Sequence, residues 1–175
     1  MRWIPFAILV YLALVVQTAV APFLSLHGVQ PDFVVILAVY YALVAKPPDA
    51  MLACWIIGLA SDLAGLSFAG HGNVGVRALS LGLISVLIVK VRELTFRDSV
   101  WSQLVFTFAT KACLSILVGL HALYVAGAAL GLNEILARSF YEAVYAAVLA
   151  PYGHWMLRQL RGPLGVGPAH RWGVR

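Results

Sequence analysis

The stretch IIGLASDLAG, residues 56–65, holds a single charge, Asp62, in a run of small and apolar residues, and the nearest charges along the chain are Asp49 and Arg77. A run of this kind has the composition of a helix in a bilayer or a protein interior, where an ionised carboxylate is costly unless it is paired or functional. The small residues around it would let a neighbouring helix approach closely. What Asp62 does therefore depends on what the rest of the chain can place beside it.

The chain has 175 residues, 62% of them hydrophobic and 11% charged, whereas charged residues make up about a quarter of an ordinary soluble domain. Its mean hydropathy is +0.92. These values point to an all-α integral membrane protein. The formal charge of +5 would suggest nucleic acid in a soluble chain, but here the position of each charge relative to the bilayer matters more, and no nucleic-acid partner is expected. Cys54 and Cys113 lie in apolar segments, far from Cys or His at metal-ligand spacing, and read as small hydrophobes; no disulfide and no zinc site are expected. Arg2 before an apolar run, with Ala19-Val20-Ala21 after it, has the outline of a secretory signal. Pro22 would directly follow the cut and the run is long enough to span, so a retained first helix is the favoured reading.

At a rise of 1.5 Å per residue against a hydrocarbon core of about 30 Å, six spans are expected, at 3–24, 32–45, 49–66, 74–89, 100–126 and 134–157. The second and fourth are short, and must thin the bilayer, extend into their flanks or sit inside a bundle that shields their ends. Asp49, after Pro47 and Pro48, and Asn133, before Glu134, are expected helix starts. The organisation is one polytopic membrane domain, 1–158, followed by a basic tail, 159–175, with the composition of a disordered segment. With the amino terminus inside, Arg2, Lys46, Lys90, Arg92, Arg97, Arg158, Arg161, Arg171 and Arg175 fall on the cytoplasmic side and no Lys or Arg falls in the three outer loops. That asymmetry supports six spans with both termini cytoplasmic. Trp3, Trp101, Tyr152 and Trp155 fall near the cytoplasmic ends, where amphipathic rings anchor at headgroups. The tail arginines suit anionic lipid.

Three basic residues remain inside the spans, Arg77, Lys111 and Arg138, and three acidic ones accompany them, Asp62, Glu134 and Glu142. Such groups usually face the bundle interior and pair. Asp62 and Arg77 reach similar depth in an antiparallel hairpin and are expected to form an ion pair across the Gly-rich loop. Glu134, Arg138 and Glu142 follow at i, i+4 and i+8 and share one helical face. Lys111, deepest in the bilayer, has Glu142 or Asp62 as its expected partner, with snorkelling as the fallback. Two roles are open for these charges: structural pairs that fix helix register, which is favoured, or an ion relay or polar ligand cavity. Small-residue spacings, Ala60 with Ala64, Ser61 with Gly65, Ser115 with Gly119 and Ala143 with Ala147, favour close packing.

Three tempting motifs carry little. Gly70-His71-Gly72-Asn73-Val74-Gly75 satisfies G-x-G-x-x-G, but a dinucleotide site needs a strand before it and a helix after it in a soluble unit. The five histidines are scattered and form no metal-ligand array. Ser61 beside Asp62 has no nearby His and no G-x-S-x-G context, so no hydrolase is expected.

Pro31-Asp32-Phe33 opening a short apolar span with Tyr40 and Tyr41 near its end, then IIGLASDLAG, a Gly-rich loop with Gly72 and Gly75, and ALSLGL at 78–83, together resemble the rod shape-determining protein MreD family. The resemblance covers residues 30–85 and extends more loosely to length, span number and a basic end. It implies a non-enzymatic inner-membrane scaffold of the machinery that builds side-wall peptidoglycan, bound to MreC and through it to MreB, RodA and a penicillin-binding transpeptidase. It also implies a fold similar to the substrate-binding membrane subunits of energy-coupling-factor vitamin transporters. Pro31, Asp32, Gly58, Asp62, Gly72 and Gly75 match the motif. No catalytic residue and no cofactor are implied. A vitamin or small-solute transporter subunit is the alternative.

Overall fold

The computed structural model describes residues 2–26, 28–65, 75–92, 100–124, 131–160 and 162. Within them the chain forms six helices and no named strand: α1 Trp3–Ala19, α2 Phe33–Val44, α3 Pro47–Leu63, α4 Val76–Val91, α5 Val100–Tyr124 and α6 Leu132–Gln159. Each expected span corresponds to one helix. The boundaries differ where local chemistry intervenes. α1 stops at Ala19, five residues short of the expected end, because Pro22 has no N–H to continue the ladder and the chain passes into i→i−3 turns through Ser25. α3 begins at Pro47, before the expected Asp49, with Lys46 at the cap and both prolines inside the first turn, where a missing N–H costs nothing. α6 is capped by Gly131 and starts at Leu132, so Asn133 lies inside the helix. Gly65, at φ +70°, ends α3 in the left-handed region that favours glycine.

α2 is the axle of the bundle. It touches all five other helices, and the ten residues Val34 to Leu43 are all buried. Its twelve residues rise only about 18 Å; enclosure by its neighbours, rather than contact with lipid, satisfies its apolar surface. Around it α3 packs on α4, α4 on α5 and α5 on α6, while α1 lies against α2 and lightly against α3. Among the described residues α1 and α6 do not touch as helices; the Tyr145 hydroxyl crosses that seam to donate to the Leu24 carbonyl, 2.8 Å away.

α3 and α4 approach closely because residue 58 is glycine. A Cβ there would sit 2.6 Å from the Ala78 Cα and 2.7 Å from the Arg77 carbonyl oxygen, so any side chain would force the two backbones apart. The same logic brings α5 onto α6, where a Cβ at Gly119 would meet the Ile135 side chain.

The distribution of polarity is inverted relative to a soluble domain. Leu79, Leu83 and Leu87, one helical turn apart on α4, are 64%, 68% and 63% exposed, whereas Asp32, Asp62, Arg77, Arg92 and Lys111 are buried. α5, with 25 residues, is long and apolar enough to cross a membrane, and α1 and α2 are shorter apolar helices. α6 is 28 residues long and carries Glu134, Arg138, Glu142 and Arg158.

Candidate functional site

The centre of the site is Asp32, the cap of α2. Its carboxylate accepts the Val35 N–H at 3.1 Å, the usual service of an N-cap aspartate to an unsatisfied helix donor. The other oxygen accepts two cations, the Arg77 guanidinium from α4 at 2.8 Å and the Lys111 ammonium from α5 at 2.8 Å. Lys111 also reaches Glu142 on α6, at 3.0 Å. Glu142 in turn accepts from Arg138 at 2.9 Å, one turn earlier on the same helix, and from the Ser115 hydroxyl at 2.8 Å. The result is a chain of alternating charge, Arg77, Asp32, Lys111, Glu142, Arg138, that joins α4, α2, α5 and α6. Each member has an opposite charge beside it, and loss of one of the buried members would strand another in low dielectric.

Asp62 works beside this chain. Its carboxylate accepts the main-chain N–H groups of Gly75 at 2.8 Å, Ala78 at 3.1 Å and Arg77 at 3.4 Å, capping α4 from the end of α3. Asp62 thus meets Arg77 at its main chain, and the Arg77 guanidinium reaches Asp32. The reason is the helix start at Val76, where free N–H groups and the positive end of the helix dipole make a ready carboxylate site. Gly75, at φ +105°, turns the chain so that those groups face Asp62.

Lys111, expected to meet Glu142 or Asp62, meets Glu142 and, in addition, Asp32. Pro31 offers its carbonyl to the Gln17 amide at 2.8 Å, and the same amide accepts the Phe33 N–H at 2.8 Å, so a single glutamine brackets Asp32 from α1. At the other end of α2, the Arg92 guanidinium donates to the carbonyls of Ala42 and Ala45, at 2.5 and 2.7 Å, and the Tyr40 hydroxyl donates to Leu157 on α6. Gly72 lies outside the described residues.

Glu134, Arg138 and Glu142 do share one face, and it borders a cavity of about 550 Å³ that Asp32, Arg77 and Lys111 also line. Glu134 stands exposed at the α6 start, and Lys111 and Ser139 are buried deeper in. Leu114, Val118 and Ile135 give the cavity an apolar wall. Gln17 and Ser139 escaped the sequence reading, which had Ser115 only in a small-residue spacing and Arg92 only among the cytoplasmic basic residues. A polar residue in a long apolar run was an available signal for Gln17, as it was for Asp62; Arg92 resembled any other basic loop residue. Among the described residues no group of three or more His, Cys, Asp and Glu side chains is placed to hold a metal ion.

A family model for the rod shape-determining protein MreD matches residues 1–160 of the chain. No curated protein and no solved structure matches it. The matched region takes in all six helices, the Asp32 charge chain and the close approach at Gly58, and the chain belongs to the MreD family of rod shape-determining proteins.

Proposed function

We propose that this protein is a non-enzymatic scaffold of the cell-elongation machinery in the bacterial inner membrane, acting in side-wall peptidoglycan synthesis by binding MreC. Family membership supports a role in rod shape determination. The observation that carries the scaffold reading is the state of the inner charges: the buried Asp32 and Lys111 and the half-buried Glu142 are engaged with one another and with Arg77 and Arg138. Charges committed to joining four helices fix a shape. MreB, RodA and a penicillin-binding transpeptidase belong to the wider complex in this reading. All six helices cross the membrane, with both termini cytoplasmic and the Asp32 chain near the outer surface. The apolar outer faces of α1, α4 and α6 suit that placement.

The direct test is co-purification of the full-length chain with MreC from detergent. Stoichiometric capture is expected; a folded protein that repeatedly fails to retain MreC would sink the proposal. Reporter fusions at the carboxyl terminus and in the 20–31 connection should report opposite sides of the membrane.

The cavity beside Lys111 favours a second reading, the substrate-binding membrane subunit of a small-solute transporter. That reading requires capture of ATPase subunits, whereas the scaffold reading requires MreC.

A further inference from the structure

We infer that the cavity between α2, α5 and α6 binds a short zwitterionic peptide, about the size of a dipeptide. Its volume of about 550 Å³ is within the usual range of small-molecule pockets. Its charged lining is balanced, with Asp32, Glu134 and Glu142 facing Arg77, Lys111 and Arg138. A polyanion would meet the carboxylates and a bare cation the basic groups, so neither gains a net attraction. A molecule with separated opposite charges can align with both.

The hydrogen-bonding groups left over in the protein fix the direction. Lys111 has three N–H donors, of which two go to Asp32 and Glu142. Ser139, 3% exposed, lines the cavity with its hydroxyl bonded to no described residue. Together they form a deep donor end for a carboxylate. Glu134, at the exposed start of α6, has no ion pair among the described residues and forms an acceptor end for an ammonium group. Glu134 and Ser139 are five residues apart on α6, a rise of about 7.5 Å. Two extended residues span about 7 Å, which matches a dipeptide better than a free α-amino acid. Leu114, Val118 and Ile135 would cover its side chains.

This site does not depend on the scaffold reading, because occupancy is measured on the isolated protein and MreC capture on the complex. Isothermal titration of the full-length protein in detergent would compare alanyl-alanine with its N-acetylated amide, which has the same backbone without the two charges. Saturable binding of the free dipeptide and a loss of about tenfold or more for the blocked one are expected. Glu134→Gln should weaken the free dipeptide by a similar factor, and Ser139→Ala should weaken it less. Because Glu134 is exposed, thermal melting of Glu134→Gln without peptide should equal that of the parent. Equal binding of free and blocked peptides, unchanged affinity in Glu134→Gln, or no binding of alanyl-alanine or glycyl-glycine at millimolar concentration would each overturn the inference.

Discussion

α1 and α2 are both short, apolar helices without a charge inside them, yet they occupy opposite places. α2 has ten buried residues; α1 has two, Phe6 and Val10. Hydropathy does not tell an axle from an outrigger when the surroundings are themselves apolar, because lipid and protein interior solvate such side chains about equally. The ends make the difference. α2 has Asp32 at its amino terminus and Arg92 at its carboxyl terminus, each bonded to parts of the chain distant in sequence. α1 has the Gln17 amide and the ring contact of Phe6 with Tyr41 at 5.0 Å.

Removing the anchors one at a time breaks or sharpens that contrast. Asp32→Ala should have the largest effect, about 3–5 kcal/mol, since it removes the α2 cap and deprives both Arg77 and Lys111 of an acceptor; reversible unfolding in mixed micelles reads it. Asp62→Ala should cost about 2–3 kcal/mol, because three main-chain donors lose a charged acceptor. Adding Arg77→Ala should make matters worse rather than restore stability, since it also takes a guanidinium from Asp32. A double mutant no worse than either single would mark an Asp62–Arg77 ion pair as the main contribution of both. Gln17→Leu should loosen α1 at a cost of about 1–2 kcal/mol, seen as faster cysteine labelling along the α1–α2 contact with little change in global melting. Ile8→Ala, on the outward face of α1 at 56% exposure, should stay within about 0.5 kcal/mol. A large loss there would mean that the face is covered by protein.

Much of the architecture was legible because apolar run length and turn residues are local signals: all six helices, and the shared face of Glu134, Arg138 and Glu142, follow from spacing alone. The partners were less so. Asp32 read only as a motif residue at the opening of a span, and nothing local marks it as the meeting point of cations 45 and 79 residues further on. Asp62 and Arg77 were brought together correctly in depth, but sequence spacing does not reveal that free N–H groups at the α4 start will bind the carboxylate. Gly58 matched a motif; only the packing gives its reason, a backbone contact that leaves no room for a Cβ.

The position of Asp32 also has a meaning in time. It is synthesised 45 residues before Arg77 and 79 before Lys111, so for much of translation the second helix has its capping carboxylate without either cation that neutralises it. The axle is among the first elements made and the last to be secured. Until α4 arrives, the nascent chain holds an uncompensated acid at the end of its most hydrophobic helix, and truncations that stop short of Arg77 should be recognised and degraded as unfinished protein.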